Sequence, residues 1–156
     1  MEDFFGTNYT TQWEIVLRYI VAAALGFIAG LDRELKNKPI GARGFMLVSL
    51  GAAVFATVTM ELAVVYDGMI GVAKVDPSRV IQGVVGGIGF LGAGAIIQSG
   101  GDVRGTGTGA GIWCVGGIGI ACGFGFYWHA AVATFIAVII LTVVGFIHRK
   151  LTGENT

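Results

Sequence analysis

Long apolar stretches, separated by short segments that hold most of the charged residues, constrain the fold of this chain more than any other feature. A helix needs about 20 mostly apolar residues to cross about 30 Å of hydrocarbon. Only 13% of the residues are charged, against about 25% in a typical soluble domain. The pattern predicts an all-α, polytopic membrane protein with about five transmembrane helices, near residues 13–31, 45–65, 80–98, 109–124 and 128–147.

Basic residues predict the orientation of these helices. Cytoplasmic loops of membrane proteins carry an excess of Lys and Arg. This chain concentrates its basic residues in the first loop and the tail: Arg33, Lys36, Lys38, Arg43, Arg149 and Lys150. We therefore expect the N-terminus outside and the C-terminus in the cytoplasm. The expected organisation is an extracytoplasmic segment at 1–12, a transmembrane domain at 13–147 and a cytoplasmic tail at 148–156.

Composition and motifs argue against several classes of function. The net charge of zero gives no bias toward nucleic acid. His129 and His148 bracket the last apolar stretch, and no serine lies in a glycine-framed nucleophile motif, so we expect neither an enzyme nor a resident cofactor. The glycines of residues 87–92 match a dinucleotide fingerprint in spacing alone, because the acidic residue expected about twenty positions later is missing.

The 27 glycines indicate close packing of helices, because small residues let helices approach within a membrane. At 100° per residue, one face of the third helix collects four of them: Gly83, Gly86, Gly87 and Gly94. Gly26 and Gly30 give the first helix a similar seam. The alternative is a third helix that bends or lines a narrow path.

Glycine and threonine alternate in residues 105–111. This composition disfavours a regular helix and predicts a broken or re-entrant helix start at the membrane boundary, with a plain flexible loop as the alternative.

Charged residues gather where the apolar stretches end, and charge inside hydrocarbon is costly. Asp32, Arg33 and Glu34 close the first helix and Arg43 opens the second. They form either a hydrogen-bonded cytoplasmic cluster or a solvated helix end. At the other side, Asp76 before Pro77 is typical of a helix start. Arg79 and Gln82 share the next turn, where Arg79 is placed to pair with Glu61.

Several ordered motifs resemble the MgtC/SapB family, over roughly residues 25–123. They are residues 26–34 (GFIAGLDRE), 38–43 (KPIGAR), 76–79 (DPSR), 84–94 (VVGGIGFLGAG), 103–105 (VRG) and 108–113 (TGAGIW). The resemblance implies a protein of the bacterial inner membrane with about five helices. It also implies a link to growth under magnesium limitation and, in pathogens, to survival inside host cells. The chain departs from the family in carrying Asp32 where Glu is usual, a more glycine-rich segment at 106–111, and no C-terminal soluble domain, as expected of a short, membrane-only member.

Two functions remain open from the sequence. The first is a non-enzymatic membrane protein in magnesium or ion homeostasis that acts through a homo-oligomer or a membrane partner such as an ATP synthase or a transporter. The second is a transporter or channel for Mg²⁺ or H⁺, with carboxylates as metal ligands at its mouths: Asp32, Glu34 and Asp76. The other functional polar residues that we predict are Arg33, Arg43, Glu61, Arg79, Gln82, Arg104, Thr108 and Trp113.

Overall fold

A computed structural model describes residues 10–36, 38, 40–67, 75–99 and 102–144. The predicted tail at 148–156 and most of the predicted segment at 1–12 lie outside these residues. The described residues form five α-helices and one short antiparallel hairpin, so the all-α prediction holds apart from the hairpin. The elements are α1 (Gln12–Leu35), α2 (Ala42–Asp67), α3 (Pro77–Gly94), β1 (Ile97–Ser99), β2 (Asp102–Arg104), α4 (Thr106–Gly123) and α5 (Tyr127–Ile139), which continues as a π-helical turn (Ile140–Val144).

Three helices of the described chain are long and apolar enough to cross a membrane: α1, α2 and α5 with its π-helical turn. The helices α3 and α4 have 18 residues each, about 27 Å at about 1.5 Å per residue. They are not among these three helices, and both are rich in glycine.

The start of α3 follows the sequence prediction, whereas its end does not. Asp76 accepts a hydrogen bond from the backbone N–H of Ser78 at 2.9 Å, and Pro77 takes the first helical position. The prediction that this helix continues to Gln98 is wrong. The helix ends at Gly94, and residues 97–99 pair with residues 102–104, with Ile97 opposite Arg104. In the sequence, the Gly-Gly dipeptide after Ser99 is a hairpin signal that the apolar pattern concealed.

The irregular stretch predicted at 105–111 is wrong from Thr106 onward, because α4 is a continuous α-helix from that residue. Gly105 has φ 88° and its carbonyl accepts the N–H groups of Thr108 and Gly109, each at 2.9 Å. A Cβ on Gly105 would meet the carbonyl oxygen of Ala95. Gly105 therefore turns the chain sharply from β2 into α4, and the Gly-Thr alternation that follows is the first turn of the helix.

The core lies between α1, α2 and α4 and depends on small residues. A Cβ on Gly26 would fall 2.8 Å from the carbonyl oxygen of Phe45, and one on Gly123 would fall 2.5 Å from that of Ala53. The close seam predicted at Gly26 and Gly30 of α1 is thus confirmed against α2. Buried residues around it include Ala22, Ala29, Ala52, Ala53, Ile112, Val115 and Ile118.

The glycine face predicted on α3 does not pack within the described chain. A Cβ built on Gly83, Gly86, Gly87 or Gly94 would meet nothing within 4 Å in the part that the structure describes. The helix instead contacts α4 through another face: a Cβ on Gly92 would lie 3.1 Å from the carbonyl oxygen of Gly109, and Ile88 lies against Gly116. Residues four apart share a helix face, so this contact turns the glycine face away from α4.

Candidate functional site

The arginine that closes α1 is buried at the junction of three helices. Arg33 is only 6% exposed. Its Nη2 donates a hydrogen bond to Oγ1 of Thr108 in α4, and its Nε donates to the carbonyl of Ile40, just before α2, at 3.3 Å. Its guanidinium carbon lies 5.5 Å from the centroid of the Phe45 ring, a cation–π distance. Because a buried charge is costly without partners, these contacts fix the end of α1 against α2 and α4.

Small residues make room for this junction. Phe45 is fully buried, and a Cβ on Gly111 would lie 2.8 Å from its Cζ. A Cβ on Gly30 would lie 2.7 Å from the Cα of Ala42. Sequence analysis predicted Arg33 and Thr108 and missed Phe45, because an aromatic residue in an apolar helix is typical of any lipid-facing surface. Phe45 follows the 38–43 motif by two residues, and this proximity was the available signal.

The two carboxylates beside Arg33 have separate local partners. Asp32 forms an ion pair with Lys36 one turn later in the chain. Glu34 accepts the backbone N–H of Ala42 at 2.8 Å and so caps the start of α2. The predicted cluster therefore forms only in part: Glu34 and Arg33 bond to the segment that opens α2, whereas the side chain of Arg43 is exposed.

The third predicted metal ligand, Asp76, lies at the other end of the molecule. The C-terminal end of α3 contacts the start of α4 at Gly105, near Arg33, so its N-terminal end is about 27 Å away along the helix. Hydrogen bonds from the side chain and backbone N–H of Ser78 lower the pKa of Asp76. Among the described residues, no three His, Cys, Asp or Glu side chains are placed to hold one metal ion. Ligation by Asp32, Glu34 and Asp76 stays a prediction.

A second buried arginine ties α1 to the far end of α4. Arg18 is 4% exposed, pairs with Glu14 at 2.5 Å and donates through Nη1 to the carbonyl of Gly123 at 2.6 Å. Thr57 of α2 donates to the same carbonyl at 3.3 Å. A cation at the C-terminal end of a helix is favourable, because the last carbonyls there lack helical partners. Sequence analysis did not select Arg18, although the i,i+4 spacing from Glu14 was a signal.

The remaining predicted residues do not join either junction. Arg79 and Gln82 are exposed, Trp113 is 56% exposed, and Arg104 belongs to β2. Glu61 accepts the backbone N–H of Thr10 at 3.0 Å. Pairing of Glu61 with Arg79 stays a prediction.

Comparison with known proteins found a matching family model and several similar proteins. Residues 19–150 match the sequence model of the MgtC family. An uncharacterized protein of Haemophilus influenzae is 36% identical over 147 residues, which cover 91% of this chain and 62% of that one. Protein MgtC of Salmonella typhimurium is 38% identical over 121 residues, or 78% of this chain and 48% of that protein. Protein SapB of Bacillus subtilis is 32% identical over 143 residues, or 91% of this chain and 61% of that protein.

These curated relatives are longer than the chain, which spans between 48% and 62% of their lengths. No solved structure matches the chain significantly.

Proposed function

Because the chain belongs to the MgtC family, we propose that it is a multi-pass protein of the bacterial inner membrane that acts in magnesium homeostasis by regulating other proteins. The magnesium role comes from the family. The choice of regulation over ion transport rests on this chain's own carboxylates. We propose no enzymatic activity for the chain.

The proposed topology has five membrane spans, with the N-terminus outside. The packing of α4 supports counting it as a span although it is not among the three candidate membrane helices. Ten of its residues are buried against the other helices, and a helix surrounded by protein needs few lipid-facing side chains. α3 runs beside α4 through the Gly92–Gly109 contact. The basic first loop supports a cytoplasmic location for the Arg33 end.

One observation carries the choice of regulation over transport. Each carboxylate predicted as a metal ligand is held by a different local partner: Asp32 by Lys36, Glu34 by the N–H of Ala42, and Asp76 by Ser78. A magnesium pathway uses carboxylates that converge on one hydrated ion. Here the carboxylates serve as helix caps and an ion pair at separate helix ends, which favours a structural role for them.

The test combines a transport assay with a growth assay. The full chain is reconstituted in liposomes that contain a magnesium-sensitive dye, and a magnesium ionophore serves as the positive control. Regulation predicts dye signals equal to those of empty liposomes. In a strain lacking the chain, growth at low magnesium should fall, and both the wild type and Asp32→Asn should restore it.

Two results would contradict the proposal. Magnesium entry that is abolished by Asp32→Asn would establish transport. Unchanged growth of the deletion strain at low magnesium would remove the magnesium role altogether. The variant Lys38→Gln, which changes an exposed charge in the same loop, controls for non-specific effects of charge on insertion.

A further inference from the structure

An apolar groove of about 690 Å³ runs between α2 and α3. Its walls are large side chains of both helices, among them Leu47 and Phe55 of α2 and Val80, Ile88 and Leu91 of α3. Leu47 is 68% exposed and Phe55 59%. The groove is therefore an open cleft on the surface of the helix bundle.

Three glycines give the groove its depth. Gly51 of α2 and Gly83 and Gly87 of α3 line it, and a Cβ on any of them would meet nothing within 4 Å in the described chain. α3 packs on α4 through Ile88 and Gly92 and also contacts α2, and these three glycines leave space between α2 and α3. A Cβ on Gly83 or Gly87 would meet no atom of α4, so filling the groove at these positions leaves the Gly92–Gly109 contact in place.

The groove has the dimensions of a lipid site in a bilayer. From Val80 to Leu91 it follows α3 for about 16 Å at about 1.5 Å per residue, close to one leaflet of a hydrocarbon core about 30 Å thick. An acyl chain is flexible enough to fill a cleft that is lined by both bulky side chains and glycines. This step requires only the membrane location, and not the magnesium role proposed above.

The charges at the two ends of the groove differ. Arg43 lies one turn before Leu47 on the same face of α2, with an exposed side chain. A helical side chain points toward the N-terminus, so Arg43 reaches beyond the groove toward the aqueous side. With Arg33, Lys36 and Lys38 against Asp32 and Glu34, this end carries a net charge of +2.

At the opposite end of the groove, the basic residue Arg79 has an acidic neighbour. Arg79 precedes Val80 there, but Asp76 lies close enough to act on it electrostatically. Arg43, by contrast, forms no ion pair with any described side chain, and the nearest carboxylates in sequence are already engaged by Lys36 and by the N–H of Ala42. Negative charge would be attracted to the Arg43 end.

We propose that the α2–α3 groove binds the acyl chain of an anionic phospholipid whose phosphate is held by Arg43. Apolar walls and glycine-made depth accommodate the chain, and the basic end complements the headgroup. An arginine forms strong charge-assisted hydrogen bonds with phosphate, and basic residues at the membrane surface attract anionic lipids.

Native mass spectrometry of the purified full chain tests this proposal. The probes are palmitoyl-oleoyl phosphatidylglycerol and palmitoyl-oleoyl phosphatidylcholine, which share their acyl chains and differ in net charge. The wild type should retain one phosphatidylglycerol preferentially. Gly87→Leu, which fills the groove, should weaken retention of both lipids at least tenfold. Arg43→Gln should lower the preference for phosphatidylglycerol about fivefold and leave phosphatidylcholine unchanged.

Gly86→Leu is the matched control, because Gly86 neighbours Gly87 on α3, meets open space and does not line the groove. Gly83→Leu fills the groove at another point and replaces Gly87→Leu if that variant loses its helical circular dichroism. Equal lipid retention by the groove-filling and control variants would overturn the proposal. So would a wild-type dimer that becomes monomeric on filling the groove, since the occupant would then be a second copy of the chain.

Discussion

The bond between Arg33 and Thr108 should show energetic coupling that a merely adjacent pair would lack. Thr108→Val removes the acceptor for a guanidinium that is 6% exposed and keeps the size of the side chain. A hydrogen bond to a charged group contributes about 1.5–3 kcal/mol in soluble proteins, whereas interhelical bonds in bilayers average about 0.6 kcal/mol. Because the donor here is charged and buried, we expect a loss of about 1.5 kcal/mol in the free energy of unfolding.

Arg33→Met tests the same contact from the other side. It removes the charge together with its desolvation cost, and a volume-conserving apolar replacement of a buried charge is often close to neutral. In the Arg33→Met background, Thr108→Val no longer leaves a buried cation without a hydrogen-bond acceptor, so it should cost less. The double variant should therefore be more stable than the sum of the single changes by about 1 kcal/mol or more, the range found for residues in direct contact.

The assay is reversible unfolding in mixed detergent micelles, followed by far-ultraviolet circular dichroism. Thr106→Val is the matched control, because Thr106 begins the same helix and is exposed. It should cost less than about 0.5 kcal/mol, as surface changes do. Additivity of Arg33→Met and Thr108→Val within about 0.5 kcal/mol would refute the idea that this bond joins α1 to α4.

Three further outcomes follow from the packing, the topology and the second junction. Gly119→Ala should destabilise the fold, because its Cβ would meet a backbone carbonyl of α2. Gly117 faces open space, so Gly117→Ala should be neutral or stabilising by up to about 1 kcal/mol. Equal effects of the two variants in the unfolding assay would contradict the close approach of α2 and α4. In a background without native cysteines, Lys38→Cys should resist an impermeant thiol reagent added outside intact cells and Ser78→Cys should react, the reverse pattern excluding the proposed topology. Arg18→Gln should lower the free energy of unfolding by about 1.5–3 kcal/mol, since its charged hydrogen bond to α4 is lost, and an unchanged unfolding midpoint would contradict that.

Local signals predicted the helices well where one physical rule dominated. The Asp76–Pro77 start of α3 held because an N-cap and a proline act on the backbone directly. The end of α3 was wrong because apolar residues such as Ile96 and Ile97 fit a membrane helix and a β-strand equally well. The start of α4 was mispredicted because glycine and threonine have low helix propensity. The helix nevertheless begins at Thr106, directly after the turn at Gly105.

The packing partners of α3 lay beyond the reach of sequence periodicity. The face formed by Gly83, Gly86 and Gly87 predicts that another helix or a ligand can approach α3 closely. It does not identify the packing partner. The described chain places α4 on a different face, through Gly92, because Gly109 offers a matching gap there. Complementary gaps on two helices are a pairwise property, and a pattern read along one helix cannot contain it.

The two buried arginines of α1 together determine how α1 lies along α4. Arg18 and Arg33 are 15 residues apart, and their acceptors, Gly123 and Thr108, are also 15 residues apart in the opposite order. Two antiparallel helices with equal rise meet this condition in one register, and a shift of one residue would leave both guanidinium groups buried without these acceptors. The two ends differ in electrostatic terms, because the C-terminal end of α4 attracts the charge of Arg18 while its N-terminal end repels that of Arg33. The contacts that Arg33 gains from Thr108, the Ile40 carbonyl and the Phe45 ring offset that repulsion, so side-chain contacts hold the Arg33 end, whereas the Arg18 end also gains from the helix dipole.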